Sequence, residues 1–126
     1  MATHNILGSW GEKLAREHLL RQGYTIVDSN VKIGHNEIDF IATFRNRIIF
    51  VEVKTRSDDF ADPLDAIDSK KIIRLCRAAD AYIQAYNIPH DPQFDVIIII
   101  GNPLATDTTP KITHIPDAFR PPLSKF

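Results

Sequence analysis

Apolar residues recur at helical spacing near the start of the chain and again in its second half. The first stripe, within residues 7–22, consists of Leu7, Trp10, Leu14, Ala15, His18 and Leu19. Gly23 follows it as a helix terminator. The second stripe consists of Ile72, Leu75, Cys76, Ala79, Tyr82, Ile83 and Tyr86. The pattern therefore predicts helices over residues 8–22 and 69–86, and Asp62-Pro63 is typical of a further helix start.

Short apolar runs between and after these helices predict strands. We expect the strands over residues 24–27, 38–43, 48–54, 94–100 and 111–115. The polar residues 44–47 favour a hairpin, residues 89–92 a loop, and the proline-rich stretch after Arg120 an irregular end. The order α-β-β-β-α-β-β predicts an α/β fold in which helices pack on a mixed sheet. A chain of 126 residues with 44% apolar content suits one domain, residues 1–126.

Charged side chains interrupt two of the apolar strands. In Phe50-Val51-Glu52-Val53-Lys54, strand geometry places Glu52 and Lys54 on one face. In the preceding strand, Glu37 and Asp39 share a face in the same way. Buried strands rarely carry charge unless the charges are paired or functional. These four residues are therefore the first candidates for a site.

Two explanations of the charged residues are equally compatible with the pattern. Asp39 and Glu52 could hold Mg²⁺ or Mn²⁺, because hard cations prefer oxygen ligands, with Lys54 beside the attacking water. Alternatively, Lys54 could form an ion pair with Glu52 or Asp39 that only fixes the strand register. The second explanation predicts side chains that pair with each other and leave no open coordination position.

Overall charge limits how the protein could bind nucleic acid. The net charge of -1 argues against bulk attraction to a polyanion, so basic residues would have to be concentrated locally. Lys70, Lys71, Arg74 and Arg77 form such a group without an acid among them. Lys71 and Arg74 share a helix face and are candidates for phosphate contacts, as is Arg56. A solvated helix face is an equal alternative, because five aspartates precede it within residues 58–68.

Cysteine, histidine and hydropathy exclude several classes of site. Cys76 is the only cysteine, which rules out an intramolecular disulfide and a thiolate cluster. The five histidines have no metal-binding spacing, although His35 lies just before the candidate site. No apolar run has transmembrane length, and the N-terminus has no signal-peptide hydrophobic region. We expect a cytoplasmic protein without membrane contact.

Asp39, twelve intervening residues and Glu52-Val53-Lys54 resemble the PD-(D/E)xK nuclease motif, without a proline before Asp39. The resemblance extends along the chain to the YraN-like family of small, largely uncharacterised proteins related to endonucleases and Holliday-junction resolvases. The marks that carry it are Gly11-Glu12, Ala15, Leu19-Leu20, Gly23-Tyr24, Glu37-Ile38-Asp39, Phe50-Val51-Glu52-Val53-Lys54-Thr55-Arg56, Lys71, Ala79, Tyr82, Phe94-Asp95-Val96 and Asp117-Ala118-Phe119. Asn36 and Gln93 depart from the glycine and the arginine usual in that family.

This resemblance implies a restriction-endonuclease-like fold and a Mg²⁺-dependent endonuclease that hydrolyses DNA phosphodiester bonds with metal-activated water. Asp39 and Glu52 would bind the metal with the carbonyl of Val53 as third ligand, and Lys54 would assist the water. The absence of the arginine at Gln93 puts one phosphate or structural contact in doubt.

Two further acids belong to the expected catalytic set. Glu12 lies beside the first apolar stripe and could face the sheet near the metal. Its alternative role is to complement the helix dipole, and the resemblance favours the site. Glu37 joins the acidic pocket without an assigned role.

A second function from another class stays open. The fold could serve as a non-catalytic module that binds nucleic acid or a protein partner. Retention of Asp39, Glu52 and Lys54 favours catalysis over this alternative. The sequence does not distinguish DNA from RNA or linear from branched substrates. A homodimer would suit a protein that cuts a duplex or a junction, and no motif for self-association is visible.

Overall fold

The computed structural model describes residues 2–57 and 68–120, which contain two helices and five strands. The elements are α1 (Ala2–Arg21), β1 (Thr25–Ile33), β2 (Asn36–Phe44), β3 (Arg47–Arg56), α2 (Ser69–Tyr86), β4 (Asp91–Ile100) and β5 (Lys111–Phe119). The predicted helix start at Asp62-Pro63 and the predicted irregular end after Arg120 lie outside the described residues. Neither of the two described helices combines the length and the apolar content needed to cross a bilayer.

The five strands form one mixed sheet in the order β1-β2-β3-β4-β5. Neighbouring strands are antiparallel except β3 and β4, which run parallel with α2 between them in the chain. The predicted α/β fold with a mixed sheet and flanking helices is confirmed. The predicted β2–β3 hairpin is confirmed as well, because Phe44 pairs with Arg47 across a two-residue turn.

All five strands are longer than the apolar pattern indicates, and β5 continues to Phe119 instead of ending at residue 115. β1 continues to Ile33 through a polar stretch, because β2 supplies a pairing partner along its whole length. The prediction of a loop is wrong for residues 91 and 92, which already belong to β4. Pro92 pairs with Ile48 of β3, but β5 joins β4 only from Phe94 onward, so β4 is still an edge strand at Pro92, where proline is tolerated.

The core has two layers, one on each face of the sheet. α1 covers a cluster that consists of Ala15, Leu19, Tyr24, Phe40, Ala42, Ile49, Val51, Ile97 and Ile99. α2 covers a cluster that consists of Ile38, Ile41, Ile48, Phe50, Cys76, Ala78, Ala79, Tyr82 and Phe94. Along β3 the side chains alternate, so Val51 packs toward α1 and Phe50 toward α2. By this alternation Glu52 falls on the α2 face, which agrees with the predicted strand geometry.

Both ends of α2 are capped, the N-terminal end by a side chain and the C-terminal end by a backbone N–H. Asp68 precedes the helix with an extended backbone, and its Oδ1 accepts a hydrogen bond from the Lys71 N–H at 2.8 Å. Asn87 closes the helix in a left-handed conformation with φ of 51°. The N-terminal cap fixes the first turn of α2, and Lys71 extends from that turn toward the sheet.

Gly11 allows α1 to approach β3 closely. A Cβ atom at this position would overlap the Oγ1 of Thr55 and lie 3.0 Å from its Cγ2. Thr55 is β-branched and short, so it has little freedom to move aside. The glycine therefore sets the distance between α1 and the strand that carries Glu52 and Lys54.

We expect Gly11→Ala to lower the free energy of unfolding by about 1–3 kcal/mol, because the added methyl group overlaps Thr55. Gly8→Ala is the matched control on the same helix, since a Cβ there meets no atom within 4 Å. The control should raise stability by about 0.5–1 kcal/mol through helix propensity. Urea unfolding measures both, and Thr55→Ala should partly rescue Gly11→Ala. Equal effects of the two alanines would contradict the close approach.

Candidate functional site

A pocket of about 310 Å³ lies beside α2 on the sheet face that α2 covers. Its walls are formed by His35, Asn36, Glu37, Asp39, Glu52, Lys71, Arg74 and Leu75. Five of these residues were predicted from the sequence as catalytic, metal-binding or phosphate-contacting: Glu37, Asp39, Glu52, Lys71 and Arg74. The structure thus brings acids from β2 and β3 together with bases from α2.

Asp39 is held against β3 by its own carboxylate. Its Oδ2 accepts a hydrogen bond from the Val53 N–H at 2.7 Å. The β2–β3 ladder ends at the pair Phe40–Val51, so this carboxylate takes the next N–H on that edge of β3. Ile38 and Phe40 belong to opposite core clusters although they are two residues apart, so the side-chain alternation of β2 breaks at Asp39. The break brings the carboxylate to the edge of β3.

The electrostatic environment of Asp39 disfavours its charge. Burial and the nearby Glu52 carboxylate raise the pKa of Asp39 to about 7, and the hydrogen bond from Val53 only partly opposes them. The charge of Glu12 acts in the same direction, whereas that of Lys71 opposes it. The pocket therefore contains a carboxylate pair that the surrounding protein does not fully compensate.

Glu52 is paired with lysines from two elements. Lys71 Nζ lies 2.7 Å from Glu52 Oε1, and Lys54 Nζ lies 3.9 Å from the same oxygen. The ion pair that the sequence analysis weighed for Lys54 is thus present at the limit of contact distance. The shorter contact comes from Lys71, which was predicted to touch phosphate. Glu52 itself is 7% exposed, so this pairing offsets part of the cost of burying its charge.

The two lysines differ in how firmly they hold a proton. Burial lowers the pKa of Lys54, and the neighbouring Lys71 ammonium lowers it further. Burial would lower the pKa of Lys71 as well, but its hydrogen bonds to Glu52 and Lys54 and the charges of Glu52 and Asp39 together outweigh burial and raise it. Lys71 therefore acts as a fixed cation, whereas Lys54 is the lysine that releases a proton more readily.

Glu12 and Glu37 are joined by a residue that the sequence analysis missed. With its amide nitrogen turned toward both acids, Asn30 donates to Glu12 Oε1 at 2.6 Å and to Glu37 Oε1 at 3.2 Å. Asn30 lies in β1 between the pairs Ser29–Phe40 and Val31–Ile38 and has a left-handed backbone with φ of 51°. The available signal was the residue type, because asparagine adopts this conformation more readily than most residues.

The remaining predicted residues lie at different distances from the pocket. Arg74 and His35 line it directly. Arg56 is exposed at the end of β3, contacts the carbonyl of Thr55 at 3.3 Å and does not line the pocket. Val53 contributes its N–H to Asp39. The structure therefore separates Arg56 from the other phosphate-contact candidates.

The acids of the pocket restrict which metal it could hold. Among residues 2–57 and 68–120, no three side chains from histidine, cysteine, aspartate or glutamate are arranged to coordinate one ion. Asp39 and Glu52 supply two hard oxygen donors. Mg²⁺ is commonly bound through one or two protein carboxylates, with water and phosphate completing its shell. The donor set fits Mg²⁺ or Mn²⁺ of this kind and does not fit an all-protein cage.

A second cluster of polar residues, which the sequence analysis did not predict, surrounds Asp95 on β4. This carboxylate is 1% exposed. It accepts hydrogen bonds from Tyr24 Oη at 2.6 Å, His114 Nε2 at 2.8 Å, Gln93 Nε2 at 2.9 Å and the Asp117 N–H at 3.0 Å. Gln93, which replaces the arginine usual in the family, thus contacts Asp95. The signal in the sequence was an aspartate inside an apolar run, since a buried carboxylate requires donors.

Comparison with known proteins identifies the family. The model of the family described as "Uncharacterised protein family UPF0102" matches residues 11–99. UPF0102 proteins of Bacteroides fragilis and Bacteroides thetaiotaomicron are 45% and 44% identical, over 98% of this chain and 99% of their own. A UPF0102 protein of Caldanaerobacter subterraneus subsp. tengcongensis is 41% identical over 90% of this chain and 93% of its own. These matches confirm the resemblance to the YraN-like family, and the chain belongs to family UPF0102.

Proposed function

We propose that the protein is a metal-dependent endonuclease of the restriction-endonuclease-like fold that hydrolyses DNA phosphodiester bonds at the pocket beside α2. The observation that carries the proposal is the convergence of Asp39 and Glu52, from adjacent strands, in one pocket where Lys71 does not fully compensate them. A carboxylate pair of this kind is stabilised by a divalent cation. Cytoplasmic DNA, duplex or branched, is the proposed substrate, and a homodimer would suit either form.

Asp39 and Glu52 are the residues that would hold Mg²⁺ or Mn²⁺. The C=O of Val53 is the proposed third ligand, because the N–H and C=O of a strand residue face the same edge and the N–H already meets Asp39. When bound, the cation lowers the pKa of water and stabilises negative charge on the phosphoryl group. Asp39 has to lose its proton before it can serve as a ligand.

The basic residues around the acids would have separate roles. Lys54 Nζ would orient the attacking water and, as the neutral amine, accept a proton from it to become the ammonium, a role that suits an amine of lowered pKa. Lys71 holds Glu52 in place, and Arg74 supplies a guanidinium to a phosphate oxygen at the pocket wall. Arg56, outside the pocket, would contact the backbone farther along the strand. Glu12 and Glu37, linked by Asn30, form the acidic rim.

One observation favours a second candidate function, a non-catalytic module that binds nucleic acid. Lys71 Nζ lies 2.7 Å from Glu52 Oε1 and partly neutralises the carboxylate that a metal would need. If this pair persists in solution, the pocket is a mixed-charge surface that binds phosphates through Arg74 without cleaving them. Metal binding and cleavage separate the two candidates.

We expect the wild-type protein to cleave linear or branched DNA with Mg²⁺ or Mn²⁺ and not with EDTA. Asp39→Asn, Glu52→Gln and Lys54→Met should each lower the rate by about 100-fold or more, as loss of a ligand or of proton transfer does. Asp80→Asn is the matched control, because Asp80 is exposed on α2 outside the pocket. Gel-based cleavage assays measure the rates. If the protein cleaves DNA with neither cation, or if all variants cleave at the wild-type rate, the proposal of an endonuclease is contradicted.

The raised pKa of Asp39 predicts how stability depends on pH. Between the ordinary pKa of aspartate and about 7, the unfolded chain loses this proton first, so the metal-free fold loses stability as pH rises through that window. In EDTA at pH 8, Asp39→Asn should therefore be more stable than wild type by about 1–2 kcal/mol, and at pH 4 the gain should vanish. Mn²⁺ should stabilise only the wild type at pH 8. Urea unfolding gives these values, and a less stable Asp39→Asn at pH 8 would refute the charge argument.

Replacing Lys71 distinguishes the two candidate functions. Lys71→Met releases Glu52, so an endonuclease should bind Mn²⁺ about tenfold more tightly, whereas a purely phosphate-binding pocket should bind none. Lys70→Met is the control, because this exposed neighbour does not line the pocket. Isothermal titration calorimetry with Mn²⁺ measures both. Unchanged Mn²⁺ affinity in Lys71→Met would show that the ion pair does not compete with the metal.

A further inference from the structure

A second cavity, of about 450 Å³, lies at the β2–β3 turn. Arg47, at the start of β3, is separated from Val53 by six residues, or about 20 Å of extended strand. The cavity is therefore at the opposite end of β3 from the acidic pocket. Phe44, Arg45 and Arg47 line the cavity on the side of the turn. Tyr24, Gln93 and His114 form its floor.

The positive charge of this cavity comes from Arg45 and Arg47 on its turn side. Among the residues that the structure describes, no carboxylate lies within ion-pair distance of Arg45 or Arg47. The one acid among the described lining residues, Asp117, is held by Arg120 at 2.7 Å. Arg47 is half-buried, and a partly desolvated guanidinium gains free energy when an anion meets it. The wall thus offers two guanidinium groups to a negative ligand.

The turn that carries Arg45 is strained. Arg45 and Asn46 have φ of 49° and 66°, the left-handed pair that a two-residue hairpin turn requires and that Asn-Gly usually supplies. An arginine at the first position is less favourable than asparagine or glycine. The Arg45 guanidinium lies 4.9 Å from the centre of the Phe44 ring, which stacks on Tyr24. Backbone strain of this kind is often retained where it places a side chain at a binding site.

The floor of the cavity is rigid because its donors already have partners. Tyr24, Gln93 and His114 all donate to the buried carboxylate of Asp95. The other ring nitrogen of His114 lies 2.9 Å from His18 Nε2, which ties the floor to α1. Burial would raise the pKa of Asp95, but these hydrogen bonds outweigh it and lower it. The floor is therefore fixed in shape, and anion recognition falls to the two arginines.

We propose that Arg45 and Arg47 bind a phosphomonoester group in this cavity, either of a free mononucleotide or of the phosphorylated end of a nucleic acid. Two guanidinium groups match a tetrahedral dianion, because each presents paired N–H donors to two oxygens. An internal phosphodiester has one charge and two substituted oxygens, so it satisfies fewer of these donors. The volume of about 450 Å³ is within the range of small-ligand sites. The proposal is independent of the metal and of cleavage.

Isothermal titration calorimetry in EDTA tests it with inorganic phosphate, a nucleoside monophosphate, and a dinucleotide with or without a 5′-phosphate. We expect the phosphorylated ligands to bind and the 5′-hydroxyl dinucleotide to bind at least about tenfold more weakly. Tighter binding of the mononucleotide would identify a free nucleotide as the ligand, and tighter binding of the phosphorylated dinucleotide a chain end. Either result supports phosphomonoester recognition.

Two variants connect binding to the arginines. Arg47→Gln and Arg45→Gly should each weaken binding by about tenfold or more. Arg45→Gly should also raise the thermal midpoint, because glycine adopts the positive φ without strain, so its loss of binding is not a loss of folding. Arg77→Gln, exposed on α2, is the control and should bind as wild type. Three results would overturn the proposal. They are wild-type affinity in both arginine variants, equal affinity for the 5′-hydroxyl and 5′-phosphorylated dinucleotides, and no binding of any phosphorylated ligand below about 10 mM.

Discussion

The hydrogen bond from the Val53 N–H to Asp39 is the contact on which the acidic pocket depends. It satisfies an N–H that the β2–β3 ladder leaves without a strand partner, and it fixes a half-buried carboxylate near Glu52. Burial of Asp39 and repulsion from the Glu52 carboxylate raise the pKa of Asp39 to about 7. The fold therefore maintains an unfavourable arrangement of charge at the point where two strands separate. A cation, from the protein or from solution, relieves it.

β3 connects two sites of opposite charge. Toward its C-terminal end lie Glu52 and Lys54, and at its start lies Arg47 beside the strained turn. The strand is buried on both faces between these ends, so each site has a rigid support. Asp95 pairs with Val51 in the middle of the sheet, and its hydrogen bonds stabilise the floor of the second cavity. A change at Asp95 should therefore disturb the basic cavity more than the acidic pocket.

The sequence predicts the sheet and its charged faces because burial and strand alternation act locally. The positions of both helices and the faces of Val51 and Glu52 follow from this periodicity. Asn30 and the cluster around Asp95 could not be predicted in the same way, because their contacts join residues far apart in the chain. The partner of Glu52 shows the same limit: strand alternation points to Lys54, whereas the shorter contact comes from Lys71, which a helix cap places over the sheet. Sequence periodicity predicts the face of the sheet on which a side chain lies, whereas its contact partners are seen only in the tertiary structure.

The two lysines that contact Glu52 come from different secondary-structure elements, and this difference affects whether the pocket can accept a cation. Lys54 is on the same strand as Glu52, two residues away, so the backbone places both side chains on one face, and their Nζ and Oε1 atoms are 3.9 Å apart. Lys71 reaches Glu52 from α2 with a flexible side chain, and its pairing can exchange with another anion or yield to a cation. The Lys71–Glu52 ion pair is therefore exchangeable, whereas the sheet fixes the backbone positions of Asp39, Glu52 and Lys54. A structural ion pair would need no second carboxylate, and the half-buried Asp39 beside it is the feature that such a pair leaves unexplained.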